Sequence, residues 1–162
     1  MASSILILSL VICGYLRFPG EAWRVGQCDV GQGDALLINL GRSSAILVDA
    51  GPDPALLRRC LKEFRVKDLP LVILTHNHAD HFQGITAKLP VRIGEVWISH
   101  DNSVIPLAYT KVRKVHSGDG ADIGDVSLTV LWPDETEKSF STIAGDGSLE
   151  NNRSIVIAAQ IG

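Results

Sequence analysis

Three of the five histidines and one carboxylate fall within six residues of this chain, in Thr75-His76-Asn77-His78-Ala79-Asp80-His81. Imidazole nitrogen and carboxylate oxygen together suit zinc, manganese or iron, and neutral imidazole is the commonest metal donor. His76 and His78 are two apart, so in an extended turn both can point to one side. Asp80 and His81 follow at once and can face a second position. Two divalent ions held about 3.5–4 Å apart can share a hydroxide and clamp a phosphodiester or an ester. A coincidental polar loop is the bland alternative, and so many ligand-type side chains directly after an apolar run argue against it.

Weaker signals surround this cluster. Asp49 closes an apolar run and precedes Ala50-Gly51-Pro52. A carboxylate there can orient a metal-bound histidine from behind, or it can cap a helix that starts near Pro52. Asp29-Val30-Gly31-Gln32-Gly33-Asp34 has two glycines that allow tight backbone near a ligand, and it reads equally as a plain turn. His100 and His116 stand alone and read as surface or turn residues. Lys111, Arg113 and Lys114 read as a solvated strand face, with a phosphate-contacting edge as the sharper alternative. Trp23, Trp97 and Trp132 read as core. Asn152-Arg153-Ser154 has the form of a glycosylation sequon, a pattern short enough to arise by chance.

Alternating strands and helices are needed to position these groups. Residues 71–74 are a short continuous apolar run, the mark of a strand buried on both faces, and the histidine cluster begins at its end. Residues 23–30 read as a strand entering the glycine turn. Residues 35–40 and 44–48 are two strands joined by Gly41-Arg42-Ser43. Pro52-Asp53-Pro54 opens a helix, with Leu56, Leu57, Cys60, Leu61 and Phe64 at helical spacing and Arg58, Arg59, Lys62 and Glu63 opposite. Further strands are expected at 95–99, 111–116, 126–131 and 152–160. The pattern predicts an α/β layered domain.

The chain has 162 residues, of which 46% are hydrophobic and 20% charged. That length suits one domain with a real core, and the apolar fraction excludes a disordered tail. Fifteen Lys and Arg against eighteen Asp and Glu give a net charge of −3, so no global basic field draws the chain to nucleic acid. The three cysteines, Cys13, Cys28 and Cys60, are odd in number and form no CxxC, which predicts buried thiols rather than disulfides or a cysteine zinc site. Residues 5–16, ILILSLVICGYL, are an uncharged apolar run. As a helix the run spans about 18 Å, short of the ~30 Å bilayer core. It reads as the remnant of a longer membrane helix, as a signal-like segment lacking a positive start, or as a core element.

The motifs carry a resemblance. Thr75-His76-x-His78-x-Asp80-His81, preceded by Leu47-Val48-Asp49-Ala50-Gly51, resembles the metallo-beta-lactamase superfamily. More narrowly, Cys28 to Ala35 (CDVGQGDA), Val48-Asp49-Ala50-Gly51-Pro52 and Asn151-Asn152-Arg153-Ser154 are similar to the hydrolase-like domain of the ComEC family of DNA-uptake competence proteins. The likeness covers about residues 22–162.

The resemblance implies an αββα sandwich of the α/β class, of which this chain supplies mainly the first half. It implies a membrane-helix remnant over residues 1–20, an incomplete domain over 21–162 and a place at the cell membrane. It implies hydrolysis, in this branch of a phosphodiester, with single-stranded DNA as partner. By residue, His76 and His78 ligate a first divalent ion, zinc or manganese. Asp80 and His81 ligate a second in the complete domain, and Asp80 also orients the attacking hydroxide. Asp49 stands behind the histidines, and Asp29, Asp34 and Asn152 are expected either behind the ligands or beside the substrate. The superfamily's bridging Gly-Asp carboxylate and late histidine are expected beyond Gly162, and Asn151-Asn152 stands where another histidine is usual. One weakly held ion and an exposed sheet edge are therefore expected of this chain. Two other readings stay open. One is an inert membrane-tethered or DNA- or partner-binding module. The other is a small-molecule ester or thioester hydrolase of the same superfamily.

Overall fold

The computed structural model describes Ile5, Ile7 and residues 19–20, 22–99, 111–134 and 149–162. The apolar run at 5–16, apart from Ile5 and Ile7, lies outside the described residues, as do Cys13 and His100. Among the described residues no helix is long and apolar enough to cross a membrane.

Six strands form one mixed sheet in chain order: β1 (Val25–Gln27), β2 (Leu36–Gly41), β3 (Ser44–Val48), β4 (Asp68–Leu74), β5 (Arg92–Ser99) and β6 (Lys111–Val115). β1, β2 and β3 pair antiparallel, and β3 to β6 run parallel. A second, antiparallel sheet is built of β7 (Gly120–Ile123), β8 (Val126–Trp132) and β9 (Val156–Ile161). Strand β7 was not expected; its four residues, Gly-Ala-Asp-Ile, are too few and too weakly alternating to announce themselves.

Helix α1 (Pro54–Glu63) starts at an Asp53 cap whose carboxylate accepts from the Ala55 N–H at 2.6 Å, with proline in the first turn. The cap at Asp53 leaves Asp49 free of that duty. At the other end Arg65 and Val66 donate to the carbonyls of Lys62 and Leu61, and Arg65 lies at φ 56. This is a Schellman stop with arginine where glycine is favoured. The short helix α2 (Ala79–Phe82) and a 3₁₀ turn (Gln83–Ile85) follow β4, and α3 (Leu149–Asn152) precedes β9.

Two cores lie on the two faces of the large sheet. Leu37, Leu47, Val72, Leu74, Val96 and Ile98 pack on Leu57, Cys60 and Leu61 of α1 and on Ile85 and Leu89. Ile38, Ile46, Leu71, Ile73 and Trp97 pack on Val126, Leu128 and Val130 of the second sheet and on Ile155. Period-two alternation along β3 and β4 thus feeds both cores, which is why residues 71–74 are apolar without a break. The described layers are helix, sheet, sheet, three of the four in an αββα sandwich. Of the tryptophans, Trp97 is core, while Trp23 and Trp132 are only partly buried.

The cysteine expectation is corrected. Cys28 and Cys60 form a disulfide, with Cα atoms 5.5 Å apart across 32 residues of sequence. An odd count hid the pair. What joins them is the packing of α1 over the segment after β1, which no local spacing encodes.

Candidate metal centre

Four loops meet at the carboxyl ends of β3 and β4. The hub is Asp49-Ala50-Gly51. Asp49 N–H donates to Ile73 O at 2.8 Å, Ala50 N–H to His81 O at 2.7 Å, Gly51 N–H to Asp34 O at 2.9 Å, and Gly84 N–H to Gly51 O at 2.8 Å. A Cβ on Gly84 would collide with the Ala50 carbonyl, and one on Gly33 with the Asp80 carbonyl. These glycines are therefore spacers that let backbone touch backbone. Just before β9, Ile155 N–H donates to Thr75 O at 2.9 Å.

Asp49 is buried at 4% exposure and holds a left-handed backbone, φ 57. Its Oδ1 accepts from the Thr75 N–H at 2.8 Å. Its Oδ2 accepts from the Thr75 hydroxyl at 2.8 Å and from His81 Nδ1 at 2.9 Å. Because the hydroxyl proton goes to the carboxylate, Thr75 Oγ1 offers a lone pair to His76 Nδ1–H, 3.0 Å away. One carboxylate thus sets the tautomer of two histidines, His81 directly and His76 through Thr75. Both present an unprotonated Nε2 when neutral.

Those nitrogens face ligand-type atoms. His76 Nε2 lies 3.2 Å from His78 Nδ1, and the rings meet edge to face at 4.7 Å. Two donors sharing one zinc at ~2.0–2.1 Å lie about 3.3 Å apart at the tetrahedral angle. His81 Nε2 lies 3.8 Å from Asp80 Oδ2, and its ring centroid is 4.0 Å from that of His76. Burial lowers the His76 pKa from its ordinary value, helped by the neighbouring His81 and His78. The Asp49 hydrogen bond raises that of His81. Asn77 Oδ1 is buried with no hydrogen-bond partner among the described residues.

The donor chemistry and the His76–His78 spacing fit a divalent ion. Among the described residues, however, no group of three or more His, Cys, Asp or Glu side chains is arranged to hold one. The structure brings His76, His78, Asp80, His81 and Asp49 together and leaves the other expected residues at the margin. Asp29 turns its exposed carboxylate to Arg59 of α1 at 3.0 Å. Asp34 is exposed, though near enough for its charge to raise the His81 pKa. Asn152 lies in α3 and its carbonyl accepts from Trp132 Nε1–H at 2.8 Å. His116 caps β6 beside Asp119, and Arg113 of the basic patch pairs with the same carboxylate and lies 5.6 Å from the Trp97 ring centre. Lys111 pairs with Glu95 at 3.6 Å. Thr75 is the residue that sequence reasoning passed over: it opens the motif, but nothing local shows that its hydroxyl reaches a carboxylate 26 residues away.

Residues 28–139 match the family model described as the metallo-beta-lactamase superfamily. The chain belongs to the metallo-beta-lactamase superfamily. Solved structures agree on the fold. MEM-A1, a subclass B3 metallo-beta-lactamase from a soil metagenome library, is similar with TM-score 0.54 and 20% identity over 67% of this chain and 49% of that one. The metallo-beta-lactamase SMB-1 bound to 2-mercaptoethanesulfonate has TM-score 0.54 and 20% identity over 67% of this chain and 50% of that one. A Cronobacter sakazakii metallo-beta-lactamase with a mutated HARLDQ motif has TM-score 0.50 and 23% identity over 68% and 52%. The chain thus spans about half the length of these superfamily members.

Proposed function

We propose that this chain carries the first part of the metal centre of a metal-dependent hydrolase. The observation that supports it most is the 3.2 Å approach of His76 Nε2 to His78 Nδ1, with Asp49 and Thr75 fixing the His76 tautomer from behind. His76 and His78 would hold one divalent ion, and Asp80 and His81 a second in a longer protein. A divalent ion supplies Lewis-acid polarisation of the scissile group and acidifies water. The chain's own part is to keep His76 Nε2 unprotonated and aimed, and to place the Asp80 carboxylate where it can orient water. Of the substrate classes, a small-molecule ester, thioester or lactam has the support of the lactamase neighbours. A phosphodiester, in the manner of a ComEC-type DNA-uptake protein at the membrane, has the support of the Asp29–Asp34 loop, which packs through Gly33 on the Asp80 backbone. The test is metal content by mass spectrometry after zinc or manganese loading, followed by turnover of a chromogenic lactam, a thioester and single-stranded DNA. Bound metal that His78→Ala releases supports the centre. A protein that takes up no ion under any loading removes the proposal and leaves an inert or partner-binding module.

A further inference from the structure

The loop from Asp29 to Asp34 stands between two bodies. On one side is α1, seated in the core by Leu57, Cys60 and Leu61. On the other is the turn that carries the histidines. Cys28, just before the loop, is bonded to Cys60 of α1. Asp29 pairs with Arg59 of the same helix at 3.0 Å. Toward the histidines, Gly33 leaves no room for a side chain against the Asp80 carbonyl, and Asp34 O accepts from the Gly51 N–H at 2.9 Å. The base of the loop is closed by Cys28 N–H, which donates to Ala35 O at 2.9 Å.

The loop has few anchors of its own. Val30 is its one buried side chain and packs on Gly51. Asp29, Gly31, Gln32 and Asp34 are exposed. Gly31 and Gly33 lie at φ 80 and 129, and glycine gives up more freedom on ordering than any other residue. The Asp29 and Arg59 side chains are 87% and 52% exposed, and ion pairs this open hold little. The covalent bond is therefore the strongest tie between loop and helix.

We propose that Cys28–Cys60 is a redox latch that sets the order of the Asp29–Asp34 loop and, through it, of the Asp80–His81 backbone. In the oxidised chain the loop is clamped to α1 and backs directly on Asp80. The reductant is a dithiol. Its thiolate attacks one sulfur of the pair, its second thiol resolves the mixed disulfide, and the dithiol leaves as its own disulfide. Two electrons and two protons pass to the protein, leaving one thiol on Cys28 and one on Cys60. Helix α1 stays in the core, while the loop lifts from Asp80 and Gly51. Both cysteines are buried, so the attacking thiolate meets sulfur only when the loop opens, which makes release slow. The latched form persists where thiols are oxidised. None of this requires a bound metal, so the latch stands apart from the hydrolase reading.

The test uses the full metal-free chain as Cys13→Ser, so that only the pair reacts, either oxidised or reduced by dithiothreitol. Thiol labelling after denaturation should find no free thiol in the oxidised protein and two in the reduced one. Amide hydrogen exchange by NMR then reads the loop. The Gly51 and Cys28 N–H groups bond to Asp34 O and Ala35 O at the loop's end. They should exchange at least roughly tenfold faster after reduction, as local opening requires. The Val66 N–H, bonded to Leu61 O at the end of α1, should stay within about twofold, since the helix does not open with the loop. The His81 ring signals should shift on reduction at constant pH and return on reoxidation. A bond that merely shortens the unfolded chain lowers the global unfolding free energy and leaves local exchange where it was. Cys28→Ala/Cys60→Ala should reproduce the reduced state; reduction of the already folded protein carries the test if that variant does not fold. The latch is overturned by free thiols in the oxidised chain, by unchanged exchange at Gly51 and Cys28, or by His81 signals that do not move. Loss of the circular dichroism of the sheets on reduction also overturns it, since the bond would then hold the fold and not the loop.

Discussion

At the residue scale the molecule turns on Asp49. Three donors converge on its carboxylate, two from Thr75 and one from His81. Asp49→Asn would set an amide N–H against at least one of those donors. The expected loss is about 1–3 kcal/mol of stability, the usual cost of an unmet buried polar group. In the same variant the His81 titration, followed by NMR, should fall from above its ordinary value to that value or below. The pH dependence of the metal-free protein follows from the two histidine shifts. His81 has a raised folded pKa, so its contribution is fully present below the unfolded value, ~6.5, and is lost as pH rises through the higher folded value. His76 has a lowered folded pKa, so the unfolded chain takes up its proton first and stability is lost as pH falls from ~6.5 through the lower folded value. Urea titrations over pH should therefore show His76→Asn flattening the acid side and His81→Asn flattening the neutral side. The same slope in both variants would refute the assignment of opposite shifts.

At the scale of elements, the centre is an assembly of loops held by contacts too close for side chains. Gly84→Ala puts a Cβ into the Ala50 carbonyl, and overpacking of this kind costs about 1–3 kcal/mol. Gly20→Ala meets open space and should leave the unfolding midpoint where it is. The Cys28–Cys60 bond ties the segment after β1 to α1. By the loop-entropy relation, closing a 32-residue separation is worth roughly 3–4 kcal/mol, so reduction by dithiothreitol should lower unfolding free energy by that order. A reduced protein as stable as the oxidised one would mean that the helix–sheet core alone holds α1 in place.

For the whole molecule, a ligand that binds only the folded state raises its stability by mass action. Zinc at about a hundred times its dissociation constant should add about 2.7 kcal/mol, reversed by a chelator and absent in His78→Ala. The two cores make the chain a layered body rather than a loop on a scaffold. Leu71, 1% exposed between the sheets, should cost about 2–5 kcal/mol as Leu71→Ala in denaturant unfolding. Strand β9, last in the order of the second sheet, carries Val156 at 48% exposure.

The histidine cluster, the strand that launches it, the β2–β3 hairpin and the amphipathic α1 were all legible in the chain. Each is written in local spacing: two residues for a strand, three to four for a helix, proline and aspartate at a helix start. So was the family, because the motif at 75–81 lies on consecutive residues. What the chain could not show is how segments distant in sequence meet. Cys28 finds Cys60 only because α1 lies across the sheet. Thr75 becomes a relay only because β3 delivers Asp49 beside β4. Asp29 pairs with Arg59 of α1, a partner that only the packing of α1 beside the segment after β1 brings to it. Local periodicity is a property of the covalent chain, whereas pairing between remote groups is decided by the one arrangement of layers that buries both apolar faces of the large sheet.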